Sequence, residues 1–226
     1  MSLWSRRKAN RSSDGALSLS SSAEPADRDE SGASFRSSHG LEFFFQHLRN
    51  ARNLNILDLG MLSQETPVQL GELGGHHLHF ASLMMDYDEA RPTLVGQDGA
   101  VSRRAADRFI RQQLDFAPRS FHAVLAWDVL QQLDRSAMQS TINHLSRLVL
   151  PNAILFCLFQ EPDEDGTISI LNASVSSRTS LKLREVGRRR PCRVFTPRDL
   201  ELEFPQFRSV HFFLKRDSLL EVLVLS

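Results

Sequence analysis

Residues 153–159 read AILFCLF, the most apolar stretch of the chain. A run of this length is too short for a buried helix. Having no polar residue in alternation, it offers no face to water and fits only the middle of a parallel sheet covered on both sides. Such cover requires helices between strands, and the sequence supplies them in order. Residues 55–60 (NILDLG), 77–83 (HLHFASL) and 121–125 (FHAVL) are further short strand candidates. Leu41, Phe44, Phe45 and Leu48 recur at helical spacing before the first of these. Val101, Ala105, Ala106, Phe109, Ile110 and Leu114 do so before FHAVL, and Met138, Ile142, Leu145 and Leu148 or Val149 do so over residues 136–149, which Pro151 stops.

Other segments are less regular. Residues 64–73 make a short helix weakened by Pro67 and Gly71. Residues 86–99, DYDEARPTLVGQDG, read as a loop on their Pro, Gly and Asp content. A polar excursion covers residues 160–192. Thr196 then caps a short helix with Pro197 at its first position, and residues 210–214 and 219–225 are two strands separated by KRDS, close enough for an antiparallel hairpin. The expected fold is α/β: a Rossmann-like, doubly wound, mostly parallel sheet with a C-terminal antiparallel hairpin. Residues 1–34 are rich in Ser, and their few apolar residues (Leu3, Trp4, Leu17, Leu19) have no period. They read as a disordered tail before one domain over residues 35–226. A docking segment built on Trp4, Arg6, Arg7 and Lys8 is the alternative for the tail.

Charge excludes little locally and much globally. The 27 basic and 27 acidic residues of this 226-residue chain cancel, so no overall field favours nucleic acid, an acidic substrate or a membrane surface. No stretch approaches the ~20 apolar residues of a membrane span, and no secretory signal follows the basic N-terminus. Cys157 and Cys192 lie in unlike contexts and read as reduced thiols. Cytoplasmic residence is the expectation.

Two segments resemble class I methyltransferases, the Rossmann-like family that uses S-adenosylmethionine. Residues 120–134, SFHAVLAWDVLQQLD, are similar to the family's fourth strand and following turn (SFDxVxxxxVLxHL). Residues 147–155, RLVLPNAIL, are similar to its RxLxPGGxL. NILDLG adds Asp58 and Gly60 in the family's D-x-G places. The resemblance spans roughly residues 40–226 and implies a class I methyltransferase-like fold with S-adenosylmethionine as cofactor. It places Asp58, Gly60, Met61 and Ser63 at the first turn, Asp86 as the acid that follows the second strand, and Trp127 in the loop after the fourth. Asp128 is the candidate catalytic residue, able to orient or deprotonate a nucleophile. The helix ending near Leu114 runs straight into DFAPRSF, which leaves little room for the family's third strand.

The sequence also departs from that pattern. Met61, Leu62, Ser63 and Gln64 fill a turn where glycines let the family's backbone approach the methionine part of the cofactor, and side chains of Leu or Gln size would fill the pocket themselves. Asn152-Ala153 replace Gly-Gly, His122 stands for Asp and Gln132 for His. Loss of glycines at two separate places points to a degenerate site with weak or no cofactor binding. The alternative is an active, divergent methyltransferase acting on a small molecule or protein through a rebuilt loop. Met61, Leu62 and Gln64 pointing beside Asp58 and Gly60 would favour the first; an open cleft bordered by Asp58, Asp86 and Trp127 would favour the second.

Two clusters remain. His76, His77 and His79 (GGHHLH) have no Cys, and no acid nearer than Glu72, to complete a ligand set, so no metal site is expected. The basic stretch Lys182 to Arg193, KLREVGRRRPCR, could meet phosphates, but it lacks interleaved aromatics for base stacking. Local pairing with the acidic run of residues 161–165, EPDED, is the simpler account. The expected partner is a small molecule or a protein, with neither nucleic acid nor membrane.

Overall fold

The computed structural model describes residues 32–71, 75–214 and 219–226. Of the tail expected over residues 1–34, residues 1–31 lie outside the described residues, as does the KRDS link, and Ser34 already belongs to a strand. The described elements begin with β1 (Ser34–Ser37), α1 (His39–Leu48), β2 (Leu54–Asp58), α2 (Glu65–Gly71) and β3 (His76–Phe80). It continues with α3 (Leu83–Leu94), α4 (Arg103–Gln113), β4 (Phe121–Trp127), α5 (Val129–Gln132), α6 (Arg135–Leu148) and β5 (Val149–Gln160). The remainder is β6 (Ile168–Ser177), β7 (Ser180–Arg189), α7 (Pro197–Glu203), β8 (Ser209–Leu214) and β9 (Leu219–Leu225).

The main sheet has the order β3-β2-β4-β5-β9-β8. Its first four strands are parallel and β9 and β8 antiparallel, so the fold is a Rossmann-like, class I methyltransferase-like α/β domain. β5 lies between β4 and β9, with Ile154 to Leu158 fully buried, as an unbroken apolar run demands. One face packs on α3 to α6, through Tyr87, Phe109, Met138 and Ile142 among others. The other packs on α1 and on a second sheet of order β1-β7-β6, through Leu41, Phe44, Ala173, Val175 and Leu181. Buried Glu221 stands out in apolar β9. Its Oε2 accepts the Gly40 N–H at 2.7 Å, and a side chain at Gly40 would begin 2.8 Å from that oxygen, so only glycine permits the approach.

Several expectations need correction. β3 ends at Phe80, not at residue 83, and residues 86–99 are not one loop, because α3 continues to Leu94. Pro, Gly and Asp composition hid a buried stripe of Leu83, Met84, Tyr87 and Leu94. Pro92 sits in the last turn, where it removes one bond to the Asp88 carbonyl, and the helix ends two residues later. The helix is tied down by Asp134, whose Oδ2 accepts from Tyr87 Oη at 2.6 Å and from Arg91 Nε at 2.7 Å. α6 ends at Leu148, one residue before the expected 149, and Pro151 follows it inside β5, where Asn152 takes φ +63° at a place where the family has glycine.

The polar excursion is the antiparallel hairpin β6–β7, with β1 added at the edge of β7. Its strands alternate only in part, burying Ile168, Ala173, Val175, Leu181 and Leu183 among serines and charges. Between α4 and β4 no strand occurs among the described residues, so the sheet ends at β3. Thr196 does cap α7, in a reciprocal capping box with Asp199.

The hairpin is fastened to α2. Fully buried Thr66 accepts the Val175 N–H at 3.1 Å through its hydroxyl. Thr66→Val keeps the shape and orphans that N–H, so it is expected to lower unfolding stability by about 1–3 kcal/mol. Urea unfolding should show a lower midpoint with an unchanged slope; an unchanged midpoint would show that the hairpin does not depend on this bond.

Candidate functional site

In open α/β sheets ligands lie beyond the carboxyl ends of the strands, where the strand order reverses. Here that place is the end of β2 and β4, where Asp58 pairs in register with Leu125 and the chain runs on to Trp127 and Asp128. Asp58 is 1% exposed. Its Oδ1 accepts the Gly60 N–H at 2.9 Å and the Trp127 indole Nε1–H at 2.7 Å. Burial pushes its carboxyl up to about 6, against the pull of those two hydrogen bonds toward the charged form.

Trp127 pays for that bond with backbone strain, holding φ at +48°, which a bulky side chain rarely adopts. Its ring is 1% exposed and meets Phe156 edge-on, with centroids 5.8 Å apart. It also lies directly against Gly60: a methyl group there would stand 2.7 Å from Nε1 and overlap the ring. Asp128 is equally buried. Its Oδ2 accepts the Leu171 N–H of β6 at 2.9 Å, and burial raises its carboxyl to about 6. Asp128 stands at the N-cap position of α5 without making a side-chain cap, and its carboxylate instead holds the hairpin.

The first turn behaves differently from expectation. None of Met61, Leu62, Ser63 or Gln64 has positive φ. Leu62 is 74% exposed and Gln64 is exposed, so these side chains turn outward and do not fill the space beside Gly60. Met61 is half-buried, and Ser63 Oγ accepts the Glu65 N–H at 3.1 Å at the start of α2. Asp86 is in the first turn of α3 and lines a groove with Glu89, Arg108 and Phe109, apart from Asp58.

Of the seven residues singled out from sequence, the structure brings together Asp58, Gly60 and Trp127, with Asp128 next in chain. Met61 and Ser63 lead away, and Asp86 belongs to another surface. Sequence reasoning missed the cover over this site, namely Thr66, Leu171, Ala173 and Val175. The only signal was the partial alternation of ISILNASV. Beside the cover a polar cleft of about 240 Å³ is lined by Leu62, Ser63, Glu65, Asn172, Ser174 and Lys182. Glu65 crosses it, accepting from Ser174 Oγ at 2.6 Å and Lys182 Nζ at 2.8 Å.

The basic stretch is largely paired. Besides Lys182, Arg188 pairs with Asp163 of the acidic run and Arg189 with Asp88 at 2.7 Å. Arg193 pairs with Asp199 at 2.5 Å and with Glu203 at 3.1 Å. His79 packs edge-on against Phe116 and Phe121. No group of three metal-binding side chains gathers among the described residues, and none of the described helices is long and apolar enough to cross a membrane.

No protein-family model and no curated protein matches this chain. Solved structures do. The 1,6-didemethyltoxoflavin-N1-methyltransferase of Burkholderia thailandensis, determined with 1,6-didemethyltoxoflavin and S-adenosylhomocysteine, is 14% identical over 82% of this chain and 76% of that one, with a TM-score of 0.45. A SAM-dependent methyltransferase from Methanosarcina mazei is 13% identical over 80% of this chain and 95% of its own, with a TM-score of 0.44. Phosphoethanolamine N-methyltransferase 2 of Haemonchus contortus, in complex with S-adenosyl-L-methionine, is 12% identical over 77% and 37%, with a TM-score of 0.43. At these TM-scores the likeness carries no argument about binding or activity, and the fold rests on the strand order.

Two outcomes follow from the geometry. Gly60→Ala should cost about 1–3 kcal/mol by overpacking against the indole, and much less in a Trp127→Leu background; equal costs in both backgrounds would mean that the ring does not abut Gly60. Asp58 holds a proton in the folded state up to about pH 6, well above its unfolded range. Its contribution to stability therefore falls as pH rises from about 4 to 6 and stays low above. Asp58→Asn keeps an acceptor for Trp127 and should remove a pH-dependent loss on the order of 3 kcal/mol. Denaturant titrations at several pH values check this, and parallel pH profiles for the two proteins would contradict it.

Proposed function

We propose that this chain is a methyltransferase-like domain whose S-adenosylmethionine site is degenerate, with weak or no cofactor binding, and that it acts by binding or scaffolding a small-molecule or protein partner. The observation that carries this reading is the Trp127 indole, seated against Gly60 and bonded to Asp58. The residues present do not fit the cofactor, because the aromatic ring occupies the space on which the glycine would open. Admitting a ligand there requires the ring to swing out, leaving a buried carboxylate short of a donor and exposing a large aromatic surface.

A ring displacement costing about 3 kcal/mol would weaken binding by roughly two orders of magnitude, since every 1.4 kcal/mol is tenfold. The hairpin adds to the cost, because Asp128 and Thr66 hold it down over the same end of the sheet. Chemistry at Asp128 is disfavoured for the same reason: its carboxylate is 2% exposed and already engaged by a backbone N–H. The alternative, an active divergent methyltransferase, needs both the ring and the hairpin to move.

Calorimetric titration of folded protein with S-adenosylmethionine and S-adenosylhomocysteine tests this directly. The expected result is no saturable binding, with weak binding emerging in Trp127→Ala if that variant keeps its far-ultraviolet circular dichroism. Micromolar binding by the unaltered protein would overturn the proposal and favour the enzyme.

A further inference from the structure

On the outer side of the helical layer, α4 and α6 enclose a second cleft of about 240 Å³. Its lining includes Arg103, Asp107 and Arg111 from α4 and Ser140, His144 and Arg147 from α6. Helical spacing explains the convergence: 103, 107 and 111 are successive i,i+4 positions, as are 140 and 144, with 147 a further three along. Ala106, Phe109 and Ile110 of α4, and Met138, Ile142 and Leu145 of α6, point the other way into the core. The helices therefore stand between this cleft and the sheet end that holds Asp58 and Trp127.

The arginines here are treated differently from those after β6. Lys182, Arg188, Arg189 and Arg193 each meet an acid. Arg103, Arg111 and Arg147 form no ion pair among the described residues; Arg103 reaches only the Gln139 Oε1, at 3.3 Å. The carboxylate in the lining, Asp107, already accepts the Ser140 hydroxyl at 2.5 Å. Three guanidinium groups face one carboxylate, a local excess of positive charge in a chain whose charges cancel overall.

A second observation lies in the same wall. His144 Nε2 is 2.9 Å from the Leu114 carbonyl oxygen, which fixes the ring and places the proton on Nε2. Its Nδ1, an acceptor in that tautomer, is buried with no hydrogen-bond partner among the described residues; the hydroxyl of a singly protonated phosphate could donate to it, whereas an ionised monoester would be held by the arginines alone. Guanidinium forks match the oxygens of a phosphoryl group, and a dianion would relieve the repulsion among them. No Phe, Tyr or Trp lines the cleft to stack a base, the His144 ring is fixed by the Leu114 carbonyl, and no overall charge draws in a polyanion.

We infer that the α4–α6 cleft is a binding site for a phosphoryl dianion, free phosphate or a phosphate monoester, held by Arg103, Arg111 and Arg147. The test is calorimetry and thermal unfolding of the full chain with inorganic phosphate and with O-phosphoserine, each against chloride at equal ionic strength. Saturable binding with a raised Tm is expected. It should weaken roughly tenfold or more in Arg111→Gln/Arg147→Gln and persist in Arg104→Gln/Arg198→Gln, whose arginines lie outside the cleft. Arg147→Gln alone serves if the double variant loses its fold. Tighter binding of O-phosphoserine identifies a monoester as the ligand class, and tighter binding of phosphate identifies the free ion. The inference is overturned by no saturable effect beyond chloride, by equal effects in cleft and control variants, or by binding confined to oligonucleotides.

Discussion

The hydrogen bond from the Trp127 indole to Asp58 governs the end of the sheet. A carboxylate 1% exposed at the tip of a buried strand needs donors, and the backbone supplies only the Gly60 N–H there. Trp127 provides the second, and to reach Asp58 its backbone enters the left-handed region at φ +48°. Once turned, the ring must be covered. Phe156 packs on one side of it, and Ala173, Val175, Leu181 and Leu183 join the same apolar cluster.

That cover links the two sheets. The hairpin β6–β7 is fixed at points spread along β6: Leu171 to Asp128, Ser174 to Glu65 and Val175 to Thr66. Each fixing group comes from the segments following β2 or β4, the strands whose ends form the crevice in proteins of this architecture. These groups thus hold the hairpin through the Leu171 and Val175 N–H groups and the Ser174 hydroxyl. The raised carboxyls of Asp58 and Asp128 are the electrostatic result, since burial removes both from water and outweighs their hydrogen bonds and, for Asp128, the charge of Arg189.

Much of this architecture was legible in the sequence, and the exceptions have physical causes. AILFCLF, NILDLG and the α4 and α6 stripes announced themselves because burial on both faces, or on one helical face, leaves a regular pattern. α3 was hidden by Pro92 and by charges whose partners, such as Asp134, are distant in sequence. The hairpin was hidden because its outer face is polar and its buried residues, Ile168, Ala173, Val175, Leu181 and Leu183, do not keep a strict alternation. At the site, the absence of glycines was visible but its consequence was misassigned. Leu62 and Gln64 turn outward, Met61 and Ser63 are half-buried, and the side chain set against Gly60 is that of Trp127, which the resemblance placed in the loop after the fourth strand. Sequence position alone could not show which way a side chain at a strand end would turn.

The most direct test of the account is the exchange and chemical shift of the Trp127 indole Nε1–H, followed by nitrogen-15 NMR and assigned with Trp127→Phe. The account predicts a proton that exchanges only as fast as the domain unfolds, whose shift follows Asp58 through about pH 6 and does not respond to S-adenosylhomocysteine. Rapid exchange in the folded protein, or a saturable shift on adding S-adenosylhomocysteine, would show a mobile ring over an accessible site and contradict it.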